Sequence, residues 1–206
     1  MIPARDAISC KTVRSSDRQA DSGSQTVRVS FICTANRARS PFAAALLRRH
    51  SAGLPVVVDS FGTLEQGGAP ALPQAIRTAR SFGIDLMEHR ARLLGTGQLA
   101  GSDLVIGFEP FHIAYAVVTG GVPRSRAFLL AELARALDDS NVQALRDVSE
   151  LCALVARVEA VRTAGHWLPV SIPDPVGGSD RRFLETYEEI ERIVATIARR
   201  LFGTST

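Results

Sequence analysis

The stretch VSFICTANRARSPFAAALL, from Val29 to Leu47, decides how this chain folds. An apolar, β-branched run that begins at Val27 stops at Cys33, which predicts a buried strand. Small and polar residues follow as far as Arg39. Ser40 then reads as a helix cap and Pro41 as a first helical residue, with FAAALLRRH continuing the helix. A strand, a tight loop and a helix in succession open a βα unit. In an open parallel sheet, ligands bind beyond the carboxyl ends of the strands, which is where this loop falls.

Moving outward, LPVVVDS predicts a second buried strand ending near Asp59 and Ser60, and ALPQAIRTARSFG an amphipathic helix stopped by Gly83. SDLVIGF predicts a third strand, FHIAYAVV a short helix, and RAFLLAEL a fourth strand. From about Asp180 to Phe202, Phe183, Tyr187, Ile190, Ile193, Val194 and Ile197 fall on one helical stripe. Strands alternating with helices predict a three-layer, doubly wound α/β fold: a four-stranded parallel sheet with helices on both faces. Between Asp138 and about Ala164, Val142, Leu145, Val148, Leu151, Cys152, Val155 and Val158 recur at helical spacing. That segment reads either as a core-packing helix or as a lid or dimer surface.

At 206 residues, 46% of them hydrophobic, the chain is long enough for one domain with a substantial core. Residues 1–26 lack apolar periodicity and read as a flexible N-terminal extension. The domain then spans 27–206, with a helical insertion around 138–166. A net charge of +3 is too mild to imply a nucleic-acid partner. No apolar run is long enough for a membrane span, and the amino terminus has no signal-peptide core. Cys10, Cys33 and Cys152 are too few and too scattered for a disulfide framework or a zinc site, so no metal or other cofactor is expected. A cytoplasmic, reducing location fits such thiols.

The chemistry concentrates at the loop. Backbone N–H groups between Thr34 and Arg39, through Ala35, Asn36, Arg37 and Ala38, can curve around an anion, and the following helix adds its positive end. Arg39 adds a planar fork that matches two oxygens of a phosphate. A helix N-terminus and a neighbouring cation also favour the thiolate, the nucleophilic form of a cysteine. Ser40 can donate a hydrogen bond to that sulfur. The pattern Cys-x5-Arg is weak alone; the serine, the preceding strand and the following helix make it specific.

FICTANRARSP resembles the phosphate loop of the low-molecular-weight protein tyrosine phosphatases, C-x-G-N-x-C-R-S-P. VVVDSFGT, GIDLMEHRARLL and IPDPVGG resemble further segments of that family in the same order. The resemblance implies hydrolysis of a phosphomonoester, such as phosphotyrosine in a protein, through a phosphocysteine. Under it, Cys33 is the nucleophile, Arg39 the phosphate clamp and Asp174 the general acid. Asn36 holds the loop with help from Ser60 and His89, and Ser40 stabilises the thiolate. Inorganic phosphate or sulfate is the expected occupant of the loop, and the oligomeric state is left open.

The chain departs from that pattern in four places. Ala35 replaces a loop glycine, which strains the backbone if the position requires positive φ. Ala38 replaces a second loop cysteine. Arg37 stands where an apolar residue is common; it either lines the pocket rim and favours acidic substrates or is a solvated charge. Val176 and Gly177 follow Asp174-Pro175 in place of ring-flanking aromatics. Two alternatives stay open: an arsenate reductase-like enzyme, disfavoured because no cysteine lies between Ser60 and Leu151, and a catalytically weak module that binds phosphate or phosphoproteins. With Ala38 in place of a thiol, peroxide should leave Cys33 over-oxidised. Mass mapping checks this, and a recoverable disulfide at Cys33 would contradict it.

Overall fold

Along β1 (Val27–Cys33), Val27, Val29, Phe31 and Cys33 point into one core and Ile32 into another, the two-residue alternation of a strand buried on both faces. The computed structural model describes residues 26–139, 150–151, 153–158 and 170–203. β1 pairs in parallel with β2 (Val56–Gly62) on one side and β3 (Leu104–Gly107) on the other, and β4 (Ala127–Leu129) lies outside β3. The order β2-β1-β3-β4 places β1 at the centre. The chain leaves β1 for one neighbour and later crosses to the other, so the crevice between the carboxyl ends of β1 and β3 is the switch point of the sheet. Cys33 ends β1 at that crevice.

The larger core lies on one face beneath α1 (Arg39–His50), α2 (Pro73–Ser81), α4 (Leu130–Asp139) and α5 (Asp180–Phe202). The smaller one lies beneath α3 (Pro110–Val118), where Ile113 and Ala116 meet Ile32, Val105 and Leu129. All six stripe residues of α5 are buried; Ser179 caps its start by accepting from the Arg182 N–H, and Gly203 ends it at φ +67°. The four-stranded, doubly wound arrangement is as the alternation predicts.

RAFLLAEL is not a strand throughout. Only Ala127–Leu129 pair with β3, and Leu130 opens α4, whose buried Leu130, Leu133, Ala134 and Leu137 follow helical spacing. Glu132 turns back to accept from the Leu129 N–H, which fixes the change from strand to helix. Asp138 belongs to the end of α4. Further on, Leu151, Val155 and Val158 are buried in the larger core. Residues 1–25, Cys10, Val142, Leu145, Val148 and Cys152 lie outside the described residues, and the reading of that segment as a lid or dimer surface goes with them.

Candidate active site

The loop from Cys33 to Ala38 is held by its carbonyl oxygens. Cys33 O accepts from the Thr63 N–H at 3.0 Å, and Thr34 O from Thr63 and Leu64 at 2.8 and 2.9 Å. Asn36 O accepts from His89 Nε2 at 2.6 Å, Arg37 O from the Leu72 N–H at 3.0 Å, and Ala38 O from the Tyr187 hydroxyl at 3.1 Å. Because a trans peptide points its N–H opposite its C=O, pinning these oxygens to the surrounding elements frees the amides on the other side. The Asn36 N–H already meets the sulfur of Cys33 at 3.3 Å.

Asn36 is the hub of the loop. It is fully buried and is the only non-glycine residue with positive φ among the described residues, at +54°. Asparagine tolerates that conformation better than most side chains. The strain expected at Ala35 therefore does not arise, since Ala35 lies outside the left-handed region. Asn36 Nδ2 donates to Ser40 Oγ at 2.8 Å and to Ser60 Oγ at 2.9 Å, while Oδ1 accepts from the Arg92 N–H at 2.9 Å. Ser40 Oγ lies 3.0 Å from Cys33 Sγ and 3.4 Å from the Phe61 carbonyl, so its proton is available to a thiolate at Cys33. Ser40 is not the helix cap: the cap position is Ala38, no side chain caps α1, and Ser40 lies inside the first turn with its hydroxyl directed to the sulfur. Burial, ahead of the neighbouring Arg92, Arg48 and Arg90 charges, lowers the pKa of His89 and favours its neutral ring.

Gly62 is a contact that sequence reading missed. A Cβ there would meet Ala35 C and Thr34 O at 2.9 Å, so the loop rests directly on the bare backbone of β2. The sequence does hold a signal: a glycine ending a β-branched run marks a close backbone approach.

Arg39 is 1% exposed, while its two carboxylate partners, Glu109 and Asp174, are half-buried. Nη1 donates to Glu109 Oε1 and, at 2.9 Å, to the Ile172 carbonyl; Nη2 donates to Asp174 Oδ2 at 2.6 Å. The guanidinium also lies 5.6 Å from the Phe108 ring centroid, within cation–π range. With Nη1 saturated, the edge made by Nε and Nη2 is left to face an anion, shared only with Asp174 among the described residues. Asp174 Oδ1 accepts from the Val176 N–H at 3.2 Å, which orients the carboxylate.

Glu109 and His112, both at the start of α3, were also missed. His112 Nδ1 accepts from the Phe108 and Glu109 N–H groups at 3.3 and 3.1 Å, so the ring proton sits on Nε2 and is donated to Thr34 Oγ1 at 3.1 Å. His112 thus ties the loop to the residue that holds Arg39. Burial first, then the Arg39 charge, lowers its pKa to about 4, against the raising effect of Glu109 and Asp174. A Glu-Pro pair just past a buried strand was the available signal for a helix start there. Tyr187 left no such trace. It stacks on Phe42 at 3.9 Å, and burial, then Cys33 and Asp174, raises the pKa of its hydroxyl and keeps it a donor.

Cys33, Thr34, Ala35, Arg37, Ala38, Arg39 and Asp174 all border one cavity of about 260 Å³, walled by Leu64, Leu72 and Val176. Asn36, Ser40, Ser60 and His89 lie behind it as support. Gly177 turns the backbone at φ +81° just beyond the wall. Among the described residues no three His, Cys, Asp or Glu side chains gather as a metal site, and no helix is long and apolar enough to cross a membrane.

The chain has known relatives. The profile of the low molecular weight phosphotyrosine protein phosphatases matches residues 28–144, more than half of the chain, and the protein belongs to that family. It is 39% identical over 75 residues to the probable low molecular weight protein-tyrosine-phosphatase EpsP of Ralstonia nicotianae, covering 36% of this chain and 50% of that protein. The match therefore spans about half the length of that relative. Over 171 residues it is 27% identical to the low molecular weight protein-tyrosine-phosphatase Etp of Escherichia coli K12, covering 82% and 91% of the two chains. The fold superposes on a low molecular weight protein tyrosine phosphatase from T. tengcongensis with a TM-score of 0.64 at 23% identity, over 85% of this chain and all of that one.

Gly62→Ala should destabilise the protein by about 1–3 kcal/mol in urea unfolding, because backbone on both sides must move to admit the methyl group. His112 provides a pH test. Its pKa is lower folded than unfolded, so between about 6.5 and about 4 the unfolded chain binds more protons, and the stability this contributes is lost as pH falls through that window. His89 acts with the same sign. Comparing wild type with His112→Gln isolates the term: the destabilisation measured at pH 7 should shrink towards pH 4, and an offset independent of pH would refute the account.

Proposed function

We propose that this protein hydrolyses phosphate monoesters, phosphotyrosine in proteins among them, through a phosphocysteine on Cys33. The observation that carries this reading is the outward pinning of the loop carbonyls around a buried arginine. It supplies convergent amides and an oriented guanidinium at one sulfur. The family to which the chain belongs, and the names of its relatives, support the same chemistry.

A phosphate dianion entering the cavity meets the loop amides and the Nε–Nη2 edge of Arg39, and displaces Asp174 from Nη2. The Cys33 thiolate, stabilised by the Asn36 amide and the Ser40 hydroxyl, attacks phosphorus. The S–P bond forms as the P–O bond to the leaving group breaks. Asp174, positioned by the Val176 amide, delivers a proton to the departing oxygen. A phenolate has a conjugate acid of pKa about 10, so protonation during departure lowers the barrier. Water then attacks phosphorus, Asp174 takes its proton, the P–S bond breaks, and inorganic phosphate leaves. The amides and Arg39 hold the equatorial oxygens through both steps. Inorganic phosphate and sulfate should occupy the loop and compete with substrate.

Para-nitrophenyl phosphate tests the reading. Wild type should turn it over and Cys33→Ser should not. Asp174→Asn should slow phenyl phosphate by about 10²–10⁴ but affect esters with better leaving groups much less. Binding of phosphate without turnover by the wild type would refute hydrolysis and leave an anion-binding module.

A further inference from the structure

The two loop arginines are balanced very differently. Arg39 faces two carboxylates. Arg37, which also lines the cavity, bonds only neutral acceptors: Nε donates to Pro70 O at 2.8 Å and Nη1 to Gln66 Oε1 at 3.3 Å. Among the described residues Arg37 makes no ion pair, and its Nη2 group has no partner. The two bonds nevertheless fix the plane of its guanidinium at the rim.

Two neighbours add to this positive edge. Arg90 stands opposite Pro70 in an antiparallel bridge, is exposed, and likewise donates only to carbonyls, those of Met87 and His89. The Leu72 N–H that holds Arg37 O belongs to the cap residue of α2, whose first turn has no acidic residue and no side-chain cap. Of the carboxylates on this side, Asp180 is held by Gln74 at 2.5 Å and Arg77 at 3.7 Å, and Glu65, next to Gln66, accepts from the Gln66 and Gly67 N–H groups. The cavity walls, Leu64, Leu72 and Val176, offer no aromatic ring on which a substrate ring could stack. Selectivity therefore falls to what lies just outside the phosphate.

We propose that Arg37, supported by Arg90 and the start of α2, is an anion-accepting rim that selects phosphopeptides carrying an acidic residue beside the phosphorylated one. This rests on the phosphatase reading and names its substrate class. An exposed charge pair is worth at most a few-fold to tenfold, so the effect belongs in relative kcat/KM rather than in the presence of turnover.

The experiment compares two phosphotyrosine peptides, one flanked by Glu and one by Gln, alongside para-nitrophenyl phosphate, for wild type, Arg37→Gln and Arg37→Lys. In wild type at low salt the Glu-flanked peptide should be preferred about fivefold, and the preference should fade at about 0.5 M salt. Arg37→Gln should bring the ratio near one, while Arg37→Lys, which keeps the charge, should retain most of it. Because the readout is a ratio, any general loss from disturbing the loop cancels. Turnover of para-nitrophenyl phosphate with equal use of the peptides overturns the rim alone, as does a ratio unchanged in Arg37→Gln. No turnover of any ester by the wild type overturns the phosphatase reading and this proposal with it.

Discussion

The site depends on which way six peptide groups face. A loop of small residues has no intrinsic reason to turn its amides inward; left alone, its carbonyls would compete for the same space. Here the competition is decided from outside. The turn after β2, the cap of α2, His89 and Tyr187 take five of the six carbonyls, and the amides are left on the concave side. Under the proposed function, an anion site made this way is preorganised, since its dipoles are fixed by bonds that need not change when the ligand arrives.

The same logic governs the cation. Arg39 is buried, and a buried guanidinium without partners would be costly. Glu109 and the Ile172 carbonyl take one end and Asp174 the other, and the guanidinium carbon lies over the Phe108 ring. Under the proposed function, only Asp174 has to yield its place to substrate. One carboxylate is thus structural and the other exchangeable, a division of labour set by which nitrogen each one meets.

Much of this was legible in the sequence because it is local. Cys33, Asn36, Arg39 and Ser40 sit within eight residues, between a strand and a helix that are both readable from apolar pattern and proline placement. Ser60, His89, Asp174 and the loop-holding role of Asn36 came only through family likeness, since nothing in their own neighbourhoods says what they reach. Glu109, His112, Gly62 and the loop contact of Tyr187, which was read only as a core residue, went unread for a related reason: their importance lies in partners far along the chain. RAFLLAEL was ambiguous because both a strand and a helix can bury every residue of a short apolar run, and one backward hydrogen bond from Glu132 decides where the change occurs. Ser40 meets the sulfur as its position suggested but does not cap the helix, because a serine before proline fits a cap pattern equally well whichever partner its hydroxyl takes.

Tyr187 and Ala38 are 149 residues apart, and their bond closes one of the widest loops in the molecule. Contacts of such separation form late in folding, after the local ones have repaid part of the entropy of closure. Central strand and first helix can therefore be in place while the anion cradle is still slack. The Tyr187 hydroxyl completes the hold on the loop, so the first βα unit depends on the last helix for its shape.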